Sequence, residues 1–491
     1  MTGLAALCYR NGTKVCWRSI LKRLSPNDAL FLFAESRETM MHVASMMPFT
    51  PPPDAGPDYL REIWQEIRKM RDVQPPWNQK LRSPNWLKSP FPAWVTDQQM
   101  DIDYHVRRSA LPAPGGEREL GVLVSRLHAN PIDFSRPPWE MHIIEGLENG
   151  RFALYIKLHH ALIDGFTGNR MLNRSLPTDP EDRDHPLFFS IKQPTRDRAP
   201  SELTPFERIA GRFKRQAEAA REVIEALGDV REALRGRPPG YPTDAVEAGI
   251  MAMPQAPNCI LNGRIGRNRR FATQQYEVER LKTLARDVGG TLNDIVLAIC
   301  AGALRRFLLE MHELPSMPLV AMLPVNIRPK DDPGGGNAVG TMFVSLGTDI
   351  EDPVGRLEAI MSSTRRSKTL LKGMSRDAIM QLSALMMAPS GVQTIAGLMG
   401  RVRPQFNLSI SNVPGPEQPL YFRGSRLEAV YPLSIPIHGQ ALNITCQSYA
   451  GTLNFGFTGC RDTLPRLQRL AVYTGEALAE LEASVRASRI I

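Results

Sequence analysis

Two adjacent histidines, His159 and His160, close an apolar run, and Asp164 and Gly165 follow in the stretch HHALIDG. A neutral imidazole titrates near pH 6.5, about where a proton must be lifted at neutral pH. No G-x-S-x-G elbow accompanies the histidines and no cysteine motif does. The base therefore acts directly on a substrate hydroxyl or amine, with no enzyme nucleophile between. An alcohol holds its proton about as tightly as water, whose pKa is roughly 15.7. Imidazole cannot remove that proton outright, so it must leave as the new bond forms. This is general-base catalysis, worth about 10²–10⁴-fold. Positioning and donors aimed at a developing oxyanion must supply the rest.

The elements that carry these residues are readable from periodicity. Residues 151–159 alternate as a strand, with Phe152, Leu154, Ile156 and Leu158 on one face and Ala153, Tyr155 and Lys157 on the other. Successive strand residues face opposite ways, so one histidine reaches the reacting centre and the other serves structure. Asp164 falls in the turn, where it pairs with a base or fixes the loop. Gly165 permits positive φ or a close backbone approach. Helical spacing marks 59–70, 117–129 and 165–176. Thr204, Pro205 and Glu207 open a long helix. Further on, 291–309 reads as a helix with Asn293 and Asp294 in its first turn, and 352–371 and 465–485 read as helices. Strand-like runs lie at 319–324, 341–346, 406–411, 427–431, 442–449 and 452–458. Both halves mix strands and helices, which predicts an α/β protein of two layered domains. The expected division is an extension over 1–23, a first domain over 24–202, a helical connector over 203–258 and a second domain over 259–491.

Composition narrows the chemistry. The chain has 491 residues, 42% of them hydrophobic, and each half can bury a core of its own. Its six cysteines are scattered with no C-x-x-C pair, which excludes a disulfide scaffold and a zinc ribbon and points to a reducing cytoplasm. There is no Walker loop, no H-E-x-x-H and no EF-hand loop, and the Gly-rich run at 334–340 misses the G-x-G-x-x-G register. No metal and no resident cofactor is expected. The excess of 60 basic over 51 acidic residues favours anionic partners, and no nucleic-acid-binding signature is present. No run of about 20 apolar residues predicts a membrane span. Residues 378–400 carry no charge and several methionines. They read either as a buried helix pair broken at Pro389 or as a pliable surface that meets lipid.

The motifs, taken together, resemble a known family. HHALIDG fits the HHxxxDG signature of the coenzyme-A-dependent acyltransferase superfamily, which includes chloramphenicol acetyltransferase and peptide-synthetase condensation domains. LSPNDALF at 24–31, MHV at 41–43, RPPWE at 136–140, TLNDIVLA at 291–298, SNVPGP at 411–416 and NFGF at 454–457 resemble the bacterial bifunctional wax ester synthase/diacylglycerol acyltransferase family. The resemblance implies two chloramphenicol-acetyltransferase-like α/β domains with an active-site tunnel between them. It implies His160 as general base, His159 in support, and Asp164 orienting the loop. Asn293 and Asp294 would line the site from the second domain, Asn293 as a hydroxyl- or oxyanion-positioning donor or as a helix cap. Trp139 would pack beside the site. Acyl-coenzyme A is the implied co-substrate and a diacylglycerol or fatty alcohol the acceptor, with peripheral contact to the inner membrane or to lipid inclusions. Arg264, Arg267, Arg269, Arg270, Arg305 and Arg306 are either phosphate contacts or solvated surface. The chain has Asn454 where the family often has Asp. Two other readings stay open: the same fold acting on a polar alcohol or amine, and an idle lipid-binding protein.

Overall fold

The computed structural model describes residues 22–83, 92–163, 165–192, 218, 221, 256–327 and 339–488. Asp164, the Gly-rich run at 334–338 and nearly all of the expected connector lie outside the described residues.

The first half runs β1 (Lys22–Arg23), α1 (Pro26–Phe33), β2 (His42–Thr50), α2 (Tyr59–Lys69), β3 (Gln79–Leu81), β4 (Ala93–Thr96), α3 (Ile102–His105), β5 (Val106–Ala110), α4 (Glu117–His128), β6 (Trp139–Glu145), β7 (Phe152–His159) and α5 (Gly165–Arg174). β7 pairs antiparallel with β2 and β6, so it lies inside the sheet, and all eight of its residues are buried. Phe152, Leu154, Ile156 and Leu158 pack on one face with Ile67, Trp77 and Trp139. On the other face Ala153 and Tyr155 meet Leu120 and Val124 of α4.

The second half runs β8 (Arg269–Glu277), α6 (Val278–Asp287), α7 (Leu292–Glu310), β9 (Val320–Asn326), β10 (Val339–Ser345), α8 (Pro353–Leu371), α9 (Arg376–Ile395), β11 (Leu408–Val413), β12 (Tyr421–Phe422), β13 (Ser425–Leu427), β14 (Tyr431–Leu433), β15 (Leu442–Tyr449), β16 (Thr452–Cys460) and α10 (Arg469–Ser488). Its sheet has the order β10-β9-β11-β15-β16-β8. α7 is apolar nearly all round and sits buried in the helical layer on one face of that sheet.

The chain does not divide cleanly at 259. β13 and β14 pair with β2 in the first sheet, through Leu427 opposite Phe49 and Leu433 opposite Ala44. Without them that edge of β2 would present unpaired backbone groups, and Phe422, Leu427 and Leu433 would lose their burial. Gly456 of β16 makes the crossing possible, because a Cβ there would lie 1.8 Å from the Pro432 carbonyl oxygen.

Nor does the uncharged stretch break at Pro389. α9 is one helix of 20 residues with that proline inside it. The ring removes one N–H and leaves the Leu385 carbonyl without its helical donor. Leu385 is exposed, and the helix continues through the proline.

Candidate active site

The histidine pair closes β7, and strand parity separates the two rings. His159 is fully buried. Its Nδ1 accepts the Ala161 N–H at 3.1 Å, which leaves the ring proton on Nε2. The Glu35 carboxylate lies 3.4 Å from that nitrogen, outside a well-aligned hydrogen bond. His160 is half-buried at the start of the turn and stacks on Phe31 of α1, with centroids 4.0 Å apart and planes at 20°. Its N–H donates to the Met41 carbonyl at 2.9 Å. The Met41 N–H in turn donates to Glu35 at 2.5 Å. Glu35 and Met41 thus bind both histidines to the loop between α1 and β2. Sequence reading missed Glu35; no local spacing marks it, and only the fold brings it to His159.

Trp139 is a core residue, as its type suggests. It is fully buried, its Nε1 donates to the Trp77 carbonyl at 2.8 Å, and it stacks on His105 with centroids 4.5 Å apart. It braces β7 from β6, since the Pro138 carbonyl next to it accepts the His159 N–H.

The face of β7 that holds His159 also carries a buried layer of charge. Lys157 lies 3.2 Å from Glu140 and donates to the Leu127 and Asn130 carbonyls. Burial pushes the Glu140 carboxyl up, but His142, Lys157 and Arg107 outweigh it and hold it at about 2. His128 is pushed down to about 3 by burial and by the Lys157 and Arg269 cations, so it is neutral. It accepts from or donates to the Tyr155 hydroxyl at 2.9 Å. These groups fasten strands and helices together.

From the second half, α7 presents Asn293 and Asp294. The cap is Thr291, not Asn293. Thr291 Oγ1 accepts the Asp294 N–H, and Asp294 Oδ2 accepts the Thr291 N–H at 2.9 Å and hydroxyl at 2.6 Å. Asp294 Oδ1 accepts from Thr364 of α8 at 2.7 Å. Burial would raise the Asp294 carboxyl, but the Thr291 and Thr364 hydroxyls hold it below its ordinary value. Asp294 is therefore spent on joining two helices. Asn293 stands half-buried one position before it and makes no hydrogen bond to the first half among the described residues.

The second sheet turns a polar face away from its helices. Leu442, Ile444 and Cys446 of β15 enter the core, so Asn443, Thr445 and Gln447 point the other way. Asn454 and Thr458 of β16 stand beside Gln447 and Asn443 in register. Gln447 Nε2 donates to Asn169 Oδ1 of α5 at 2.8 Å. The helix that follows HHALIDG is thereby tied to the opposite sheet. Asn454 is fully buried and donates to the Gln447 carbonyl at 3.3 Å, a place where a neutral amide needs no counter-ion.

Of the six arginines, Arg305 donates to the Thr348 carbonyl and Arg306 pairs with Glu476 at 2.7 Å, both at the far end of α7. Arg269 is buried and donates to the Gly266 and Glu38 carbonyls. Arg264 and Arg267 are exposed, and Arg270 is half-exposed. No three His, Cys, Asp or Glu side chains among the described residues are grouped to hold a metal.

This fold of two mixed α/β halves is shared with condensation domains of peptide synthetases. The first condensation domain of the calcium-dependent antibiotic synthetase superposes with a TM-score of 0.55 at 15% identity, covering 95% of this chain and 97% of that one. Closer likeness decides the family. The wax ester synthase/diacylglycerol acyltransferase catalytic domain matches residues 24–296, and the C-terminal domain of the same family matches 335–482. A putative diacylglycerol O-acyltransferase of Mycobacterium tuberculosis is 53% identical, over 94% of this chain and 97% of the relative. The wax ester synthase/diacylglycerol acyltransferase from Marinobacter aquaeolei VT8 superposes with a TM-score of 0.75 at 35% identity, over 94% and 99% of the two chains. The chain belongs to the wax ester synthase/diacylglycerol acyltransferase family.

Proposed function

We propose that the protein transfers a long acyl group from acyl-coenzyme A to the hydroxyl of a diacylglycerol or fatty alcohol, yielding triacylglycerol or wax ester. His160 is the general base. It takes the hydroxyl proton as the oxygen attacks the thioester carbonyl. The tetrahedral intermediate then expels the thiolate, the C–S bond breaks, and the same proton passes from His160 to sulfur. No acyl-enzyme forms, so the kinetics are sequential. His159 and Asp164 position the turn, and Asn293 faces the reaction from the second half. The passage for the chains runs between the two halves.

One observation carries this reading. His160 follows the apolar row Phe152, Leu154, Ile156, Leu158 in the turn, stacks on Phe31 and is half-exposed, while His159 is buried and tied down. The base thus stands where greasy surface ends and solvent begins. Contact with a membrane or a lipid inclusion is supported by the exposed Leu385 and Val392 of α9 and by Leu398 and Val402 beyond it. No described helix is long and apolar enough to cross a membrane.

The test supplies labelled palmitoyl-coenzyme A with hexadecanol or dioleoylglycerol and follows both ester and free thiol. His160→Ala should lower the rate by about 10²–10⁴-fold with the fold intact. Near-normal turnover by that variant, or lipid binding by the wild type without thiol release, would sink the proposal.

A further inference from the structure

A second cluster of polar groups lies outside the histidine turn. His438 sits in the short turn where the Ile437 and Gln440 backbones hydrogen-bond to one another. That turn is locked from behind: the Gly439 N–H donates to the Gly263 carbonyl at 3.0 Å, and Asn262 Nδ2 donates to the Gly439 carbonyl at 2.8 Å. Gly439 and Gly400 both have positive φ and close contacts. A Cβ at Gly439 would come 3.1 Å from the Gly400 nitrogen, and one at Gly400 would come 3.0 Å from Arg264. Residues 263–265, 400 and 438–439 therefore form a rigid frame, not a loose surface.

Within the frame the hydrogen bonds do not close. The Ile265 N–H points at His438 Nδ1 at 3.1 Å, and Arg264 Nη2 points at His438 Nε2 at 3.3 Å. A neutral imidazole has one acceptor nitrogen and one N–H. Whichever nitrogen carries the proton, one donor faces another donor. Ile265 is buried and its N–H is fixed by the backbone, so Nδ1 serves it and the proton sits on Nε2. Arg264 Nη2 and His438 Nε2–H are then two donors side by side, while Arg264 Nη1 turns to the Met399 carbonyl at 3.4 Å. An anionic oxygen beside the pair accepts from both. Arg269 and Arg401 add positive potential here and Glu38 subtracts from it, which leaves the cations in excess.

The location says which anion. Arg269 at the edge of this cluster donates to the Glu38 carbonyl, on the loop whose Glu35 lies against His159. Through Arg269 the cluster thus adjoins the loop of the first half that carries Glu35. We propose that Arg264 and His438 bind a phosphate of the nucleotide end of acyl-coenzyme A, with its acyl arm leading inward toward His160. The proposal rests on the acyl-coenzyme A reading above and adds a residue-level donor site to it.

The test compares two donors, palmitoyl-coenzyme A and palmitoyl-pantetheine, which has the same thioester and no phosphate. For the wild type, kcat/KM is expected to favour palmitoyl-coenzyme A. In Arg264→Ala and in His438→Ala that preference should fall about tenfold, which is about 1.4 kcal/mol. Arg264→Lys, which keeps the charge and loses the fork, should fall between. Adenosine 3′,5′-diphosphate should compete with palmitoyl-coenzyme A in the wild type and about tenfold less well in Arg264→Ala. An equal loss on both donors, or no loss on either, overturns the site. So does a loss confined to sedimentation with phosphatidylglycerol vesicles, which would make the bound phosphate a lipid headgroup. A wild type that turns over neither donor would instead overturn the acyl-transfer reading itself.

Discussion

Replacing Lys157 by Met removes a buried cation from the strand that ends in the histidine pair. The size of the effect follows from its partner. Glu140 is held at about 2 against an ordinary 4.5. At about 1.36 kcal/mol per pH unit, that depression corresponds to about 3 kcal/mol at neutral pH. Lys157 points the other way: burial lowers its pKa more than Glu140 raises it. The pair together is therefore worth less than the Glu140 figure, as desolvation of two charges requires. Breaking it is a different matter, because Lys157→Met leaves Glu140 charged and buried. The single variant should lose about 2–3 kcal/mol, less than for a fully stranded charge, because Arg107 and His142 still face Glu140. Lys157→Met with Glu140→Gln should recover about 2 kcal/mol of that loss, with the Leu127 and Asn130 carbonyls still short of a donor. Urea unfolding at pH 7, followed by tryptophan fluorescence, measures both. The sign with pH is fixed: the Glu140 contribution is full above its unfolded value and is lost as pH falls toward 2. The gap between wild type and Lys157→Met should thus narrow in acid. A single variant that loses under about 1 kcal/mol, or a double variant no better than the single, refutes the reasoning.

Two further substitutions probe how the site is held. Glu35→Ala removes the acceptor of the Met41 N–H and the carboxylate beside His159. It should lower kcat by about 10–100-fold with KM for acyl-coenzyme A little changed, and Glu35→Gln should restore most of the rate by accepting the same N–H; steady-state kinetics on the three proteins would decide, and an equal defect in Gln and Ala would refute a positioning role. Gly456→Ala puts a Cβ on the Pro432 carbonyl and should destabilise the protein by about 1–3 kcal/mol, read as a lower unfolding midpoint; a neutral result would mean that β14 does not cross there as described.

Much of this was legible in the chain, and for definite reasons. The period-2 pattern over Phe152–His159 gave the strand, and its parity gave the separation of the two rings before any coordinates. The T-x-x-D spacing at Thr291 and Asp294 is a capping signal. Asn293 lies between them and was weighed as the cap only because asparagine also suits that position. Other features depend on contacts between distant residues, which no local pattern encodes. Short strands at 421–433 look the same in sequence whichever sheet they join; burial of Leu427 and Leu433 against β2 decides it. Glu35 is one acid among many until the α1–β2 loop turns it toward His159. Likewise, the donors of Arg264 and Ile265 converge on His438 across a separation of more than a hundred residues.

The two faces of β7 explain why the site tolerates so much buried charge close to a greasy substrate. Residues 153–159 of odd number face α4, where Lys157 meets Glu140 and His159 meets Glu35. Residues of even number face the apolar core, and His160 stands just past the strand end, stacked on Phe31. Polar bonds that fix the strand end are thus kept on the opposite side of the backbone from the apolar row. The charged face is occupied by Lys157, Glu140 and Glu35, which hold the strand end in place. His159 lies on that face, fully buried. His160 is left beside Phe31 with an apolar approach, where a hydroxyl can bind without competing for the ion pairs. A shift of β7 by one residue would exchange the two rings, so the register between β2 and β7, with His42 opposite His159, decides which histidine is buried.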